Sequence, residues 1–357
     1  MKTIDLSCLG LTEQLREEAK RYEGYYPGRV SSQAKDLFRV ITEAGELTAQ
    51  VSGKFRYQVS NPAEFPAVGD FVLVDRTTDR NGYGIIHHVL TRRSVFARKA
   101  AGETDALQIV ATNIDTVFLC MALNRDFNLR RLERYLAIAW DSGATPVVVL
   151  TKADLCSDLE DKLRQVSTVA VGVETLTTSS LSADGYSPVK KYVQAGQTVA
   201  FIGSSGVGKS TLINRLLGED IIATNETRND GKGRHTTTRR ELFILPEGGI
   251  VIDTPGMREL GIVGADLAKS FADIDEWATQ CKFRDCTHGL EPGCAVQQAI
   301  KEGHLDADRL ESYKKLQREA KYDGLNSKQI EKEKINEMFK GFGGIKNARK
   351  FIKEKKR

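Results

Sequence analysis

No stretch of this 357-residue chain approaches the ~18 consecutive apolar residues that a membrane-spanning helix needs. The opening segment, MKTIDLSCLGLTEQLREEAKRYEG, holds several acids and no continuous apolar run, so a secretory signal is not expected there. Cysteine is scarce: six residues, which fits a reducing compartment with thiols either free or bound to metal. These absences lead to the expectation of a cytoplasmic protein with no membrane partner. No internal repeat is visible. A large excess of one charge is also missing, the net charge being +4, but the distribution is uneven. From Lys314 to Arg357, 15 Lys/Arg face 6 Asp/Glu, a local +9, so the rest is slightly acidic. A basic tail on such a body suits a polyanionic partner, or is a solvated helical face.

Four regions follow from the pattern. Residues 1–28 read as an N-terminal extension, a short polar helix and connector ending at Pro27-Gly28. Residues 29–100 hold short runs such as LFRVIT, LTAQVS, DFVLVD and GIIHHVL, several with period-two alternation and turn residues between them. Roughly five strands in so short a span predict a small OB-like β-barrel. Arg92, Arg93, Phe96, Arg98 and Lys99 then either grip RNA or form a linker with one core aromatic. Residues 108–264 alternate strand and helix: TVFLCMAL, LRRLERYLAIAWDSG, PVVVL, TVAFIG, STLINRLLG, GIVID. This predicts a multidomain α/β chain. Residues 265–357 read as a helical module with a Cys/His cluster and a basic tail.

GSSGVGKST, Gly203 to Thr211, has full phosphate-loop spacing. Gly203, Ser204, Ser205, Gly206, Val207 and Gly208 would wrap backbone N–H groups round an anion at a helix N-terminus. Lys209 is expected on the β- and γ-phosphates and Ser210 on magnesium. DTPG follows the apolar strand GIVI: Asp253 suits the magnesium shell and Gly256 the γ-phosphate. Between them lies GKGRHTTTRR, a loop in which Thr237 or Thr238 would complete that shell. TKAD, Thr151, Lys152, Ala153 and Asp154, carries base choice. A carboxylate accepts from the N1–H and N2–H of guanine, whereas adenine offers an acceptor there. Ser179 and Ser180, in TTSS, are a weaker candidate for a further base-side loop.

Three thiolates and an imidazole, Cys281, Cys286, His288 and Cys294, lie within fourteen residues. They suit one tetrahedral zinc with no open position, hence a structural site; buried reduced cysteines are the alternative. Cys8, Cys120 and Cys156 read as core or incidental residues.

The nucleotide motifs are those of translation-factor-type GTPases in rotated order, base-reading element first, which predicts a circularly permuted P-loop GTPase domain. The whole layout, from barrel through TKAD, GSSGVGKST, GRHTTT and DTPG to the Cys/His cluster, resembles the ribosome small subunit-dependent GTPase A family over nearly the entire chain. The resemblance implies a GTP hydrolase acting late in 30S maturation, stimulated by the subunit, with 16S rRNA, GTP and GDP as partners. A monomer is expected. Thr151 stands where such GTPases usually carry Asn, so one brace of the nucleotide site is expected to weaken. The position after DTPG, where many GTPases orient water with Gln, is Met257. His235 is the candidate replacement, with a plain surface histidine as alternative. Because the DTPG segment runs directly into the C-terminal module, loss of the γ-phosphate is expected to move that module. The competing function is an RNA-binding nucleotide switch in translation regulation with incidental hydrolysis. An RNA-modifying enzyme would need a second catalytic constellation, and none is evident.

Overall fold

The computed structural model describes residues 3–79, 82–99, 107–179, 185–222, 240–253, 267–321, 327–339 and 347. The N-terminal segment is more than a polar connector. A 3-10 turn over Leu6–Leu9, capped by Asp5, and helix α1 (Glu13–Lys20), capped by Thr12, bury Leu6, Leu9, Leu11 and Leu15 in the main core. The many charges around these four leucines disguise the apolar stripe. Pro27 and Gly28 do not end the segment but lie inside the first strand, β1 (Tyr26–Ala34).

β1 is followed by β2 (Leu37–Thr42), β3 (Gly45–Val51), the short helix α2 (Gly53–Gln58), β4 (Phe71–Val74) and β5 (Gly84–Val89). The order is β1-β2-β3-β5-β4, and β4 pairs back onto β1, closing a five-stranded barrel. Closure leaves no open edge in this unit. Alternate residues, including Val30, Phe38, Val40, Leu47, Val72 and Ile86, fill its interior.

A hairpin, β6 (Val95–Lys99) and β7 (Leu107–Thr112), leads out of the barrel. Arg92 is committed to buried Asp70 at 2.7 Å and to the carbonyls of Ala63 and Phe65; Arg93 pairs with Asp115 at 2.7 Å. Phe96 is 1% exposed. These three fit the linker reading: the two guanidinium groups already serve the fold, and Phe96 is a core aromatic. Arg29, fully buried, donates to the carbonyls of Leu9, Gly69 and Asn113, tying the N-terminal segment, barrel and hairpin together. Burial lowers its pKa to about 9, and the three carbonyls are what make the cation tolerable there.

The α/β unit comprises β8 (Thr116–Ala122), α3 (Leu129–Ser142), β9 (Thr145–Thr151), α4 (Leu159–Val169), β10 (Thr175–Thr177), α5 (Ser187–Lys190), β11 (Thr198–Ile202), α6 (Lys209–Leu217), β12 (Arg240–Ile244) and β13 (Ile250–Asp253). Its order is β10-β9-β8-β11-β13-β12, with β12 alone antiparallel to its neighbour. β8, β9 and β11 are almost wholly buried, which is why their sequences are continuous apolar runs. β12 also pairs with β1, Ser32 opposite Glu241 and Gln33 opposite Arg240. Barrel and α/β unit therefore share one eleven-stranded run.

A 3-10 turn at Leu267–Lys269 opens the C-terminal helices α7 (Ala272–Ala278), α8 (Ala295–Lys301), α9 (Ala307–Lys321) and α10 (Ser327–Met338). α9 docks on α3 and α7 through a buried ion-pair cluster. Arg309 reaches Glu133 of α3 at 2.9 Å and Asp273 of α7 at 2.7 Å, while Arg130 joins Glu133 at 2.6 Å. Arg134 pairs with Glu319 at 2.5 Å on the rim. No helix among the described residues is long and apolar enough to cross a membrane.

Candidate functional site

β11 delivers the chain to Gly203 between buried strands. A Cβ on that residue would lie 2.5 Å from the carbonyl oxygen of Cys120, so only glycine fits so close to β8. Gly206 and Gly208 then take left-handed φ of 77° and 98° and turn the chain into α6. Gly208, the N-cap of α6, has no side chain to satisfy the first N–H groups, so they remain available to an anion. The Lys209 ammonium donates to the carbonyls of Gly203 and Ser204, 2.7 Å each. It is thus held over the concave side of its own loop.

The base-reading candidate comes to the same place from β9. The Thr151 hydroxyl donates to the carbonyl of Val207 at 2.5 Å, and Lys152 Nζ to that of Gly206 at 2.8 Å. Thr151, where such GTPases usually carry Asn, thus makes a bond of its own to the phosphate loop. Lys152 itself is left-handed, φ 59°, which swings Ala153–Leu155 into a 3-10 turn and sets exposed Asp154 at the rim. Ser179 donates to Asp154 Oδ1 at 2.5 Å, and the N–H of Ala153 to the carbonyl of Thr178 at 3.2 Å. Residues some fifty positions apart in the chain thus meet at the carboxyl ends of β9 and β11, parallel strands that flank β8, where α/β sheets bind ligands.

Asp253 ends β13, opposite Glu241 of β12. Burial raises its carboxyl pKa, the Lys209 ammonium pulls it back down and Glu241 pushes it up. Its hard oxygens and the hydroxyl of Ser210, second residue of α6, are of the kind magnesium prefers. Ser180, His235, Thr236, Thr237, Thr238, Gly256 and Met257 lie outside the described residues. Cys120 behind the loop is inert, its thiol pushed up to about 12 by burial. One residue that no motif flags also belongs here: Asp126, after β8, accepts the Ser204 hydroxyl at 2.7 Å.

The second site lies between α7 and α8. The ligand atoms of Cys281, Cys286, His288 and Cys294 all fall within 4.8 Å of one another. Cys281 and Cys294 sulfurs are 3.8 Å apart, and each is 3.6 Å from His288 Nδ1. A tetrahedron with Zn–S arms of about 2.3 Å and Zn–N arms of about 2.0 Å has edges of roughly 3.5–3.8 Å, so the cluster fits zinc. Burial and the Lys314 ammonium lower the pKa of His288, keeping the imidazole neutral as a ligand must be. The supporting shell is polar. The His288 carbonyl accepts from Gln297 Nε2 at 2.7 Å and Lys314 Nζ at 3.0 Å. Glu291 accepts from Thr287 and from the Gly289 N–H, and these bonds, Thr287's hydroxyl first, hold its carboxyl down at about 2.

Comparison with known proteins agrees with this geometry. The RsgA GTPase family model matches residues 89–263. The small ribosomal subunit biogenesis GTPase RsgA 2 of Lactiplantibacillus plantarum is 55% identical over 354 residues, 99% of this chain and 99% of its own length. The corresponding RsgA of Opitutus terrae is 46% identical over 311 residues, 84% of this chain and 85% of that one. Among solved structures, YjeQ from Thermotoga maritima is similar with a TM-score of 0.61 and 28% identity, covering 82% of this chain and 97% of that one. YloQ, titled a circularly permuted GTPase, shares the fold with a TM-score of 0.57 and 24% identity, over 84% and 96% of the two chains.

Proposed function

The chain belongs to the RsgA family of GTP-hydrolysing enzymes, and on that premise we propose that it binds the small ribosomal subunit and acts late in 30S maturation. In this reading it hydrolyses GTP to GDP and phosphate, and the subunit stimulates the reaction. The observation that carries the proposal is the pair of bonds from Thr151 and Lys152 to Val207 and Gly206. They hold Asp154 and the phosphate loop on one site, as a single guanosine triphosphate requires.

Each residue then has a task. Asp154 accepts from the N1–H and N2–H of guanine, steadied by Ser179, with Ser180 on the same base-side loop; Lys152 lies along the base, and Ala153 carries the chain past it. The N–H groups of residues 203–211 take the α- and β-phosphates. Lys209 leaves its two carbonyls for the β/γ-phosphate oxygens, a charge-assisted contact that strengthens as negative charge develops. Ser210 and Asp253, with Thr237 or Thr238, would hold magnesium, which supplies charge neutralisation when bound. Gly256 senses the γ-phosphate. His235 orients the attacking water once subunit RNA orders its loop. The Cys281, Cys286, His288, Cys294 cluster would hold one structural zinc, fixing a helical module that, with the basic tail and the barrel, grips 16S rRNA. We place this monomeric enzyme in the cytoplasm.

The test is GTP turnover with and without 30S subunits, ATP serving as control. Strong stimulation by 30S particles, with ATP inert, supports the proposal. Equal rates with and without subunits overturn it in favour of an RNA-binding switch whose hydrolysis is incidental.

A further inference from the structure

The segment Leu123–Asn128, LNRDFN, joins β8 to α3 and carries no nucleotide motif. It is nevertheless stiff. The Asn124 side chain accepts the N–H of Asp126 at 2.9 Å, and its carbonyl that of Phe127 at 3.0 Å. Asn128 caps α3 by accepting the N–H of Arg131 at 2.9 Å, and its own N–H points at Met121 Sδ at 3.2 Å. The Lys162 ammonium covers the Phe127 ring at 4.3 Å from its centre. A turn held at both ends leaves the carboxylate of Asp126 little freedom.

That carboxylate uses both oxygens. Oδ2 accepts the hydroxyl of Ser204 at 2.7 Å, and Oδ1 meets the Arg131 guanidinium at 2.9 Å. Arg131 donates to the Asp126 carbonyl as well. Ser204 is the residue whose own carbonyl, with that of Gly203, holds Lys209. A carboxylate beside a triphosphate site is unfavourable by charge alone, so the Arg131 partner matters: it neutralises Asp126 while leaving its acceptor role intact. The phosphate loop is therefore tied on two sides. Thr151 and Lys152, at the end of β9, hold its far part, and Asp126, after β8, holds its near part.

We infer that Asp126 is a positioning residue for the phosphate loop, setting through the Ser204 hydroxyl the backbone on which Lys209 and the nucleotide phosphates are arranged. It touches neither substrate nor reacting atoms. The pair also joins two parts of the molecule. Arg131 stands on α3 beside Arg130, Glu133 and Arg134, which hold Asp306, Arg309 and Glu319 of the C-terminal helices. The docking of those helices and the phosphate loop thus bear on one helix. The inference rests on the reading of residues 203–211 as the holder of GTP phosphates.

The experiment is a double-mutant cycle on the full-length, zinc-loaded chain, read as dissociation constants for fluorescent GDP and as kcat and KM with 30S subunits. Asp126→Ala and Ser204→Ala are each expected to weaken GDP about 10–150-fold, the range for a hydrogen bond to a charged group. The double variant weakens it no further, because both changes remove one contact. Asp126→Asn, which keeps the acceptor, recovers most of the loss. A purely architectural role would lower the melting temperature without producing this coupling or the rescue. Ser204→Ala keeps the test open should Asp126→Ala fold poorly. Singles within twofold of wild type, or losses that multiply in the double, overturn the inference. A wild-type chain binding neither GDP nor GTP overturns the reading of the loop and the inference with it.

Discussion

The phosphate loop and the Cys/His cluster are both short glycine-bearing turns that gather donors round a point, but they are held differently. The loop leaves a buried strand, runs into a helix packed on the core, and is tied to two neighbouring strand ends by Asp126, Thr151 and Lys152. The cluster's turn has little apolar cover: Lys282, Phe283, Arg284 and Asp285 are exposed, and Leu290 is wholly so. Its inward groups are three thiols and an imidazole, which face one another, with the Gln297 N–H on Cys294 Sγ at 3.4 Å. One region is organised by packing before it binds. The other would draw most of its order from the zinc that its donors suit, as small metal modules do.

The predictions test that contrast. The largest effect is expected from metal removal, since structural zinc contributes about 10 kcal/mol or more of folding energy in small modules. A strong chelator should abolish hydrogen-exchange protection in residues 281–301 yet change GDP affinity less than about threefold. Loss of nucleotide binding on chelation would show the two regions to be one unit. Next comes Arg309→Met, which leaves buried Glu133 without its partner from α9. Breaking a buried pair typically costs about 3–5 kcal/mol, and the low end applies because Arg130 still reaches Glu133; the loss is read as early melting of the C-terminal helices by denaturant titration. Lys209→Met should then cut subunit-stimulated kcat by about 10²–10³, the usual loss for one charge-stabilising donor. Its melting temperature should hold, because Lys209 serves the loop and not the core. The smallest change is Thr151→Val, which deletes one brace and should weaken GDP about fivefold, roughly 1 kcal/mol.

The same contrast explains what could be read before any coordinates. Motifs in which chemistry restricts residue type are legible: the glycines at 203, 206 and 208, the carboxylates at 154 and 253, the four metal-site residues. So are the buried parallel strands, whose unbroken apolar runs follow from cover on both faces. Side chains that act by meeting distant partners are not. Nothing in LNRDFN distinguishes Asp126 from any turn aspartate; only the β8–β11 neighbourhood brings it to Ser204. Glu133 and Arg309 lie 176 residues apart and look like ordinary helical surface charges until α9 packs on α3. The pairing of β12 with β1, which fuses barrel and α/β sheet, depends on register that no local pattern encodes. Arg92 and Arg93 illustrate the converse: cations beside an aromatic suggest RNA, but buried or neighbouring carboxylates already claim them.

The central claim is that Asp154 and the loop at 203–211 read the same nucleotide. The most direct measurement is the affinity of the wild-type chain and Asp154→Asn for GTP, ATP and xanthosine triphosphate. Xanthine carries a carbonyl where guanine has its 2-amino group, and an Asn amide can donate to it. Wild type should prefer GTP over ATP by about 10³ or more. Asp154→Asn should lose about a hundredfold for GTP and gain binding of xanthosine triphosphate. Equal acceptance of ATP by wild type, or an Asp154→Asn chain that still prefers GTP as before, would contradict the account.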